Sequence, residues 1–248
     1  QPDVLAPDNI YYFSLPRVGG APALLVEGGA AQTGSRRDTF FLQHAIQPRS
    51  RSRTTVVPET QGWQSFLAGD LSRYPLIFLA NPPSLIGAAQ SKLEAFVRNG
   101  GHAIIFPGDN GDIGSGLTQL PPFQGMSVRQ KELPDGALVP LVAQQNPPPL
   151  ERRIRNFLPR SPELQIRKRL LFDNLPASAE AWFRYPDNHP FLVRAEHGNG
   201  TITVLSLTAN RDWSEWPLRP LFVVLIQELV RVSLQSGVDA RIGDVGTT

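Results

Sequence analysis

"LEAFVRNGGHAIIFPGDNG", residues 93–111, decides the fold. Leu93, Phe96 and Val97 share one face of a helix, and Gly100–Gly101 supply its C-terminal stop. "HAIIF" (102–106) follows as a short apolar run of the kind a buried strand needs. Pro107, Gly108, Asp109, Asn110 and Gly111 then force a turn. Helix, stop, buried strand and sharp turn make one unit of an α/β protein. In many α/β enzymes such a turn carries the nucleophile; here its sharpest position holds Asp109.

Working outward, the same unit repeats. "ALLVEGG" (23–29) reads as a first buried strand ending in glycines, and Asp38 to Ile46 as a helix. "TTVV" (54–57) reads as a second strand, "GWQSFLAGDLSRY" (62–74) as a short helix and turn, and "PLIFLAN" (75–81) as a third strand. "HAIIF" is the fourth. Residues 107–170 break the rhythm: they are proline-rich and read as loops with one basic helix around 150–157. "FLVRAEHGNGTITVLSL" (191–207) reads as an antiparallel hairpin turning at Asn199-Gly200. A last helix over 218–235 is apolar around more than half its circumference and belongs on the sheet. The expected fold is an open parallel sheet with helices on both faces, flavodoxin-like, with an antiparallel hairpin extension.

Three segments are expected: a linker over 1–20, the domain over 21–236, and the start of a further segment over 237–248. The chain opens on Gln1, and it reads as a piece of something longer. The 248 residues carry 24 Lys and Arg against 22 Asp and Glu, a net charge of +2, so nothing asks for nucleic acid. The basic residues concentrate at Arg152, Arg153, Arg155, Arg160, Arg167, Lys168 and Arg169. Such a run is a solvated face or an anion or lipid-headgroup patch. With no cysteine, disulfides, thiolate metal sites and cysteine nucleophiles are excluded.

In an open parallel sheet, ligands bind beyond the carboxyl ends of the strands. Glu27, Gly28 and Gly29 fall there, as do Asn81, then Gly108, Asp109, Asn110 and Asp112, then Arg211, Asp212 and Trp213. Gly28, Gly29, Asn81, Gly108 and Asn110 are the candidate ligand contacts. Glu27 and Asp109 offer an acid/base pair, with Arg211 to hold an anion and Asp212 beside it. Glu27, Asp109 and Asp112 offer an oxygen-ligand set for Mg²⁺ or Ca²⁺. Each also has a structural reading: turn formation for Asp109 and Asp112, capping for Glu27, and an Arg211–Asp212 pair that locks its loop. Trp213 and Trp216 read as packing first and partner contact second. The histidines show no zinc spacing. No G-x-G-x-x-G or G-x-S-x-G motif occurs.

"LLVEGG…FFLQHAI", "LIFLANPPSL", "LEAFVRNGGHAIIFPGD" and "SLTANRDWSEWPLRPLFVVLIQELVR" resemble the glutamine-amidotransferase-like (class I) domain of large bacterial membrane proteins with an aerotolerance-regulator (BatA-like) N-terminal region. The resemblance covers about residues 20–235. It implies a class I amidotransferase-like fold, partners in other domains of the same membrane protein or its complex, and membrane attachment through parts outside this sequence, on the extracytoplasmic side. Class I amidotransferases place a cysteine at the elbow, with histidine and glutamate near the C-terminus. Here the elbow holds Asp109, and Arg211-Asp212-Trp213 stands at the later position. A carboxylate cannot form the thioester. The implied function is a non-catalytic binding or scaffolding domain without cofactor. The alternatives are a hydrolase or lyase using Glu27 and Asp109, or a carboxylate metal site.

Overall fold

The structure, a computed structural model, describes residues 20–29, 33–48, 56–134, 137–142, 149–154 and 163–242, with 149–150 and 236–242 by backbone alone. In chain order the elements are β1 (Ala21–Glu27), α1 (Phe40–Ile46), β2 (Val56–Gly62), α2 (Trp63–Ala68), β3 (Leu76–Ala80), α3 (Ala88–Arg98) and β4 (His102–Phe106). They continue with α4 (Ile113–Leu117), β5 (Ser127–Glu132), β6 (Leu138–Val139), α5 (Pro149–Ile154), β7 (Leu164–Gln165) and β8 (Lys168–Asp173). The chain closes with β9 (Ala179–Arg184), β10 (Pro190–His197), β11 (Gly200–Leu205) and α6 (Pro220–Ile242). The expected linker over residues 1–20 lies outside the described residues except for Gly20.

Seven strands form the main sheet in the order β2-β1-β3-β4-β11-β10-β9. β1, β2, β3, β4 and β11 run parallel. All five residues of β3 and of β4 are buried, which explains their unbroken apolar sequences: both faces are covered, so no polar alternation survives. One face packs Leu42 and Ile46 of α1, Ile154 of α5 and the apolar stripe of α6. The other packs Phe66 of α2, Leu93 and Phe96 of α3, and Ile113 and Leu117 of α4. α3 stops where Gly100, at φ 94°, lets its N–H return to the carbonyl of Val97.

The flavodoxin-like open parallel sheet is corrected by the remaining strands. The sheet is mixed, because β10 pairs antiparallel with both β11 and β9. Two further antiparallel ladders, β5–β8 and β6–β7, stand beside it. The stretch 107–170, read as loops around one helix, therefore holds strands as well. β5, "SVRQKE", escaped because it is mostly solvated and carries no apolar alternation. The hairpin shifts by one residue: His197 pairs with Gly200, so the turn is Gly198-Asn199, with Gly198 at φ 61°. α6 starts two residues later than expected and runs on to Ile242, across the expected boundary at 236–237.

The tryptophan loop takes the first of its two readings, packing, and the view of it as an exposed partner surface is corrected. Trp213 and Trp216 are buried. Trp216 packs edge-on against Phe191 and Phe222, and its indole N–H reaches the carbonyl of Thr208 at 2.8 Å. Arg169, from the basic stretch, is buried too; its guanidinium lies 4.0 Å over the Tyr185 ring and pairs with Asp187. Arg155 and Arg160 lie outside the described residues.

One strained position depends on α5. Phe183, in β9, has φ 54°, a left-handed conformation foreign to a bulky residue. Its N–H leaves the ladder and is taken at 2.8 Å by the buried carboxylate of Glu151. Glu151→Ala is expected to cost about 1.5–3 kcal/mol, the worth of a buried hydrogen bond to a charged acceptor. Urea unfolding should show a lower midpoint at unchanged slope; an unchanged midpoint would remove this role from Glu151.

Candidate functional site

At the carboxyl ends of the parallel strands, three loops are tied to one carboxylate. Asp38, just before α1, has almost no exposed surface. Its Oδ2 accepts the Gly29 N–H at 3.2 Å and the Asn81 side-chain amide at 3.1 Å, and its Oδ1 accepts the Asn210 amide at 2.7 Å. Those donors come from the ends of β1 and β3 and from the segment after β11. Asn81, at φ 54°, turns its side chain into the gap, where its Oδ1 accepts the Asn110 N–H of the elbow at 2.9 Å. The approach is close enough to demand glycine. A Cβ on Gly28 would lie 2.0 Å from the Asn81 carbonyl oxygen, and one on Gly108 would lie 1.9 Å from Asn81 Oδ1. Burial pushes the Asp38 carboxyl up to about 6, against the lowering effect of the Asn81 and Gly29 hydrogen bonds; the charges of Glu27 and Asp212 push in the same direction as burial.

The structure brings Gly28, Gly29, Asn81, Gly108 and Asn110 together, and it gives each acidic candidate a structural partner. Glu27 accepts the Thr39 N–H and hydroxyl at 2.9 and 3.0 Å and pairs with Arg37 at 2.9 Å, so it holds the entry to α1. Asp112 caps α4 through the Gly114 N–H at 2.8 Å. Asp212 accepts the Asn210 amide at 2.7 Å and forms no pair with Arg211. The carbonyls of Arg211 and Asp212 take the Arg167 guanidinium. Among the described residues no three of His, Asp or Glu are grouped to hold a metal ion. Asp38 and Asn210, the centre of the network, were not among the sequence candidates. The signal lay in "RRDTF" and "TANRDW", where one reads as the start of a helix and the other as a loop.

Beside the knot, a cleft of about 430 Å³ separates the elbow and α4 from the β5–β8 ladder. Ile113, Val128, Leu170 and Trp213 give it apolar walls, and Asp109, Arg129 and Gln130 reach it as polar groups. Asp109 is half exposed; its Oδ1 accepts both Lys168 Nζ and the Trp213 indole N–H at 3.1 Å. Arg129 binds Asp173 with Nε at 3.1 Å and Nη2 at 2.7 Å. The cleft is thus walled by apolar side chains and carries a few polar groups, with Asp109 and Asp112 against Arg129.

No family model matches the chain, and no curated protein matches it. Solved structures similar to it include a β-galactosidase from Bacillus circulans sp. alkalophilus, at 13% identity and a TM-score of 0.53. That match covers 87% of this chain and 31% of the enzyme, so the chain spans about a third of that protein. Two cytoplasmic proteins of Salmonella typhimurium match at 14% and 9% identity, with TM-scores of 0.58 and 0.60. Those matches cover 86% and 85% of this chain and 98% of each of theirs. At such identities the likeness is one of fold. It replaces the labels flavodoxin-like, amidotransferase-like and BatA-like membrane domain with a mixed-sheet α/β fold shared by a glycosidase and cytoplasmic proteins. An extracytoplasmic position gains no support from them. Among the described residues no helix is long and apolar enough to cross a membrane.

Two buried groups oppose each other in acid. Asp38, raised from 3.8 to about 6, holds its proton longer when folded, so its contribution to stability falls as pH rises through that window. His102 is driven down from 6.5 to about 4, first by burial and then by the charge of Arg194, so its contribution grows as pH rises from 4 to 6.5. Each swing is on the order of 3 kcal/mol. Wild-type stability should therefore be nearly flat between pH 4 and 6.5. Asp38→Asn should rise with pH and His102→Gln should fall, measured by urea unfolding at half-unit steps. Parallel profiles for the two variants would refute the assignment.

Proposed function

We propose that the chain is a binding domain without catalytic chemistry of its own, and that the elbow cleft is where its partner sits. The partners are other segments of the larger protein or complex the domain serves. One observation carries this reading: the acidic groups at the carboxyl ends of the strands are committed to holding the fold. Glu27 anchors Thr39 and Arg37, Asp38 gathers three loops, Asp112 caps α4, and Asp109 is held by Lys168 and Trp213. A general acid or base needs a free group within reach of the substrate. A nucleophile needs a neighbouring base, and the elbow offers a salt-bridged carboxylate. What the cleft offers is shape, an apolar lining and a few fixed polar groups, the usual features of a recognition site.

The test is turnover. Purified protein should release no ammonia from glutamine and hydrolyse neither nitrophenyl esters nor nitrophenyl glycosides above the rates of Asp109→Ala and Glu27→Gln. Sustained turnover by the wild type that Asp109→Ala abolishes would overturn the reading and make the elbow a catalytic centre.

A further inference from the structure

Among the described residues, the strand that forms one wall of the cleft has a strand on one side alone. β5 pairs with β8, with Gln130 opposite Leu170 and Lys131 opposite Arg169, and with no other strand among the described residues. The Leu170 N–H points away from β5, to the carbonyl of Ser206 at 2.9 Å. In an antiparallel ladder both members of such a pair turn their main-chain groups outward. Gln130 therefore aims its N–H and C=O away from β8, and so do Val128 and Glu132, two residues to either side. Among the described residues none of these groups has a main-chain partner. The two edges of the main sheet are blunted: β2 carries Pro58, and in β9 Arg184 exchanges hydrogen bonds with Val142.

Side chains follow the same alternation. Val128 and Gln130 face the cleft with Leu170. The side chains of Arg129 and Lys131 leave the strand on the other face, where they pair with Asp173 and Asp187 and keep 62% and 47% of their surface exposed; Arg129 also lines the cleft. Beyond the end of the strand, Arg167 donates to the carbonyls of Asp212 and Arg211 and pairs with no carboxylate among the described residues. A strand laid along β5 would thus meet cations at alternate positions on one face and the apolar-walled cleft on the other. The same cations discourage self-pairing of two β5 edges.

We infer that β5 accepts an extended acidic peptide segment of a partner protein as a third strand. Acidic residues at i and i+2 would lie opposite Arg129 and Lys131, and an apolar residue at i+1 would lie on the cleft face beside Gln130. Main-chain pairing supplies affinity, and the alternation supplies selectivity. The inference rests on the binding reading of the cleft and names its partner.

The probe is a fluorescein-labelled octapeptide of alternating glutamate and valine, titrated by fluorescence anisotropy at low salt. A lysine–valine octapeptide and a glutamate–valine peptide N-methylated at every second amide serve as controls. Saturable binding is expected, at least tenfold tighter than for either control. Gln130→Pro removes one outward N–H and none of the β8 hydrogen bonds, and should weaken binding at least tenfold. Arg129→Glu with Lys131→Glu should turn the preference toward the lysine peptide; this arm stands even if the proline variant folds poorly. Undiminished binding to Gln130→Pro, no saturable binding to wild type, or sedimentation showing wild-type dimers that Gln130→Pro dissolves would each overturn the inference. The last outcome would assign the edge to a second copy of this chain. A failed peptide assay without turnover leaves the non-catalytic reading standing, whereas turnover removes that reading whatever the peptide does.

Discussion

A single buried carboxylate accepting three N–H donors from three loops sets the upper end of this molecule. Asp38 takes the Gly29 amide and the side chains of Asn81 and Asn210, and among the described residues no cation pairs with it. A parallel sheet fixes its strands by main-chain pairing, but the loops beyond their ends have no such ladder. Here the missing order comes from polar groups that satisfy one another in a space too tight for side chains at Gly28 and Gly108. Asn81 passes the constraint to the elbow through the Asn110 N–H, and Asn210 passes it to the segment carrying Trp213. The two walls that meet at Asp109 are therefore positioned by the same carboxylate.

This arrangement gives structural partners to the acidic residues that look catalytic in a one-dimensional sequence. An acid at the end of a buried strand is either free for chemistry or committed to closing a loop. Glu27 and Asp112 close loops around α1 and α4. Asp109 sits at the cleft, yet one of its oxygens serves an ammonium and an indole N–H together. The elbow keeps the sharp turn while its polar group ties the neighbouring β8 to the core. What remains open is the cleft itself and the solvated edge of β5 beside it, surfaces suited to recognition.

The sequence was legible where burial imposes a pattern. β3 and β4 are continuous apolar runs because both of their faces are covered, and α3 shows its stripe and its glycine stop. It was opaque where the stabilising contact is long-range and polar. β5 has the composition of a loop, since its exposed side chains leave the hydrophobic pattern silent. β9 carries a left-handed Phe183 whose stability comes from Glu151, 32 residues away in sequence. The glycines and Asn81 were readable as a strand-end cluster. Asp38 and Asn210, 172 residues apart, were not, because each looks like ordinary loop chemistry until the fold joins them. Trp216 reads as packing first; the Thr208 carbonyl and two phenylalanine rings hold it in the core.

The account stands most directly on the Asp38–Asn210 bond as an energetic link between loops. A double-mutant cycle of Asp38→Ala and Asn210→Ala, read by urea unfolding at pH 7, measures that link. A coupling of about 1–2 kcal/mol is expected, with each single variant leaving a buried polar group unpaired. Strict additivity of the two substitutions would mean that the carboxylate does not tie these loops together, and would contradict the central claim.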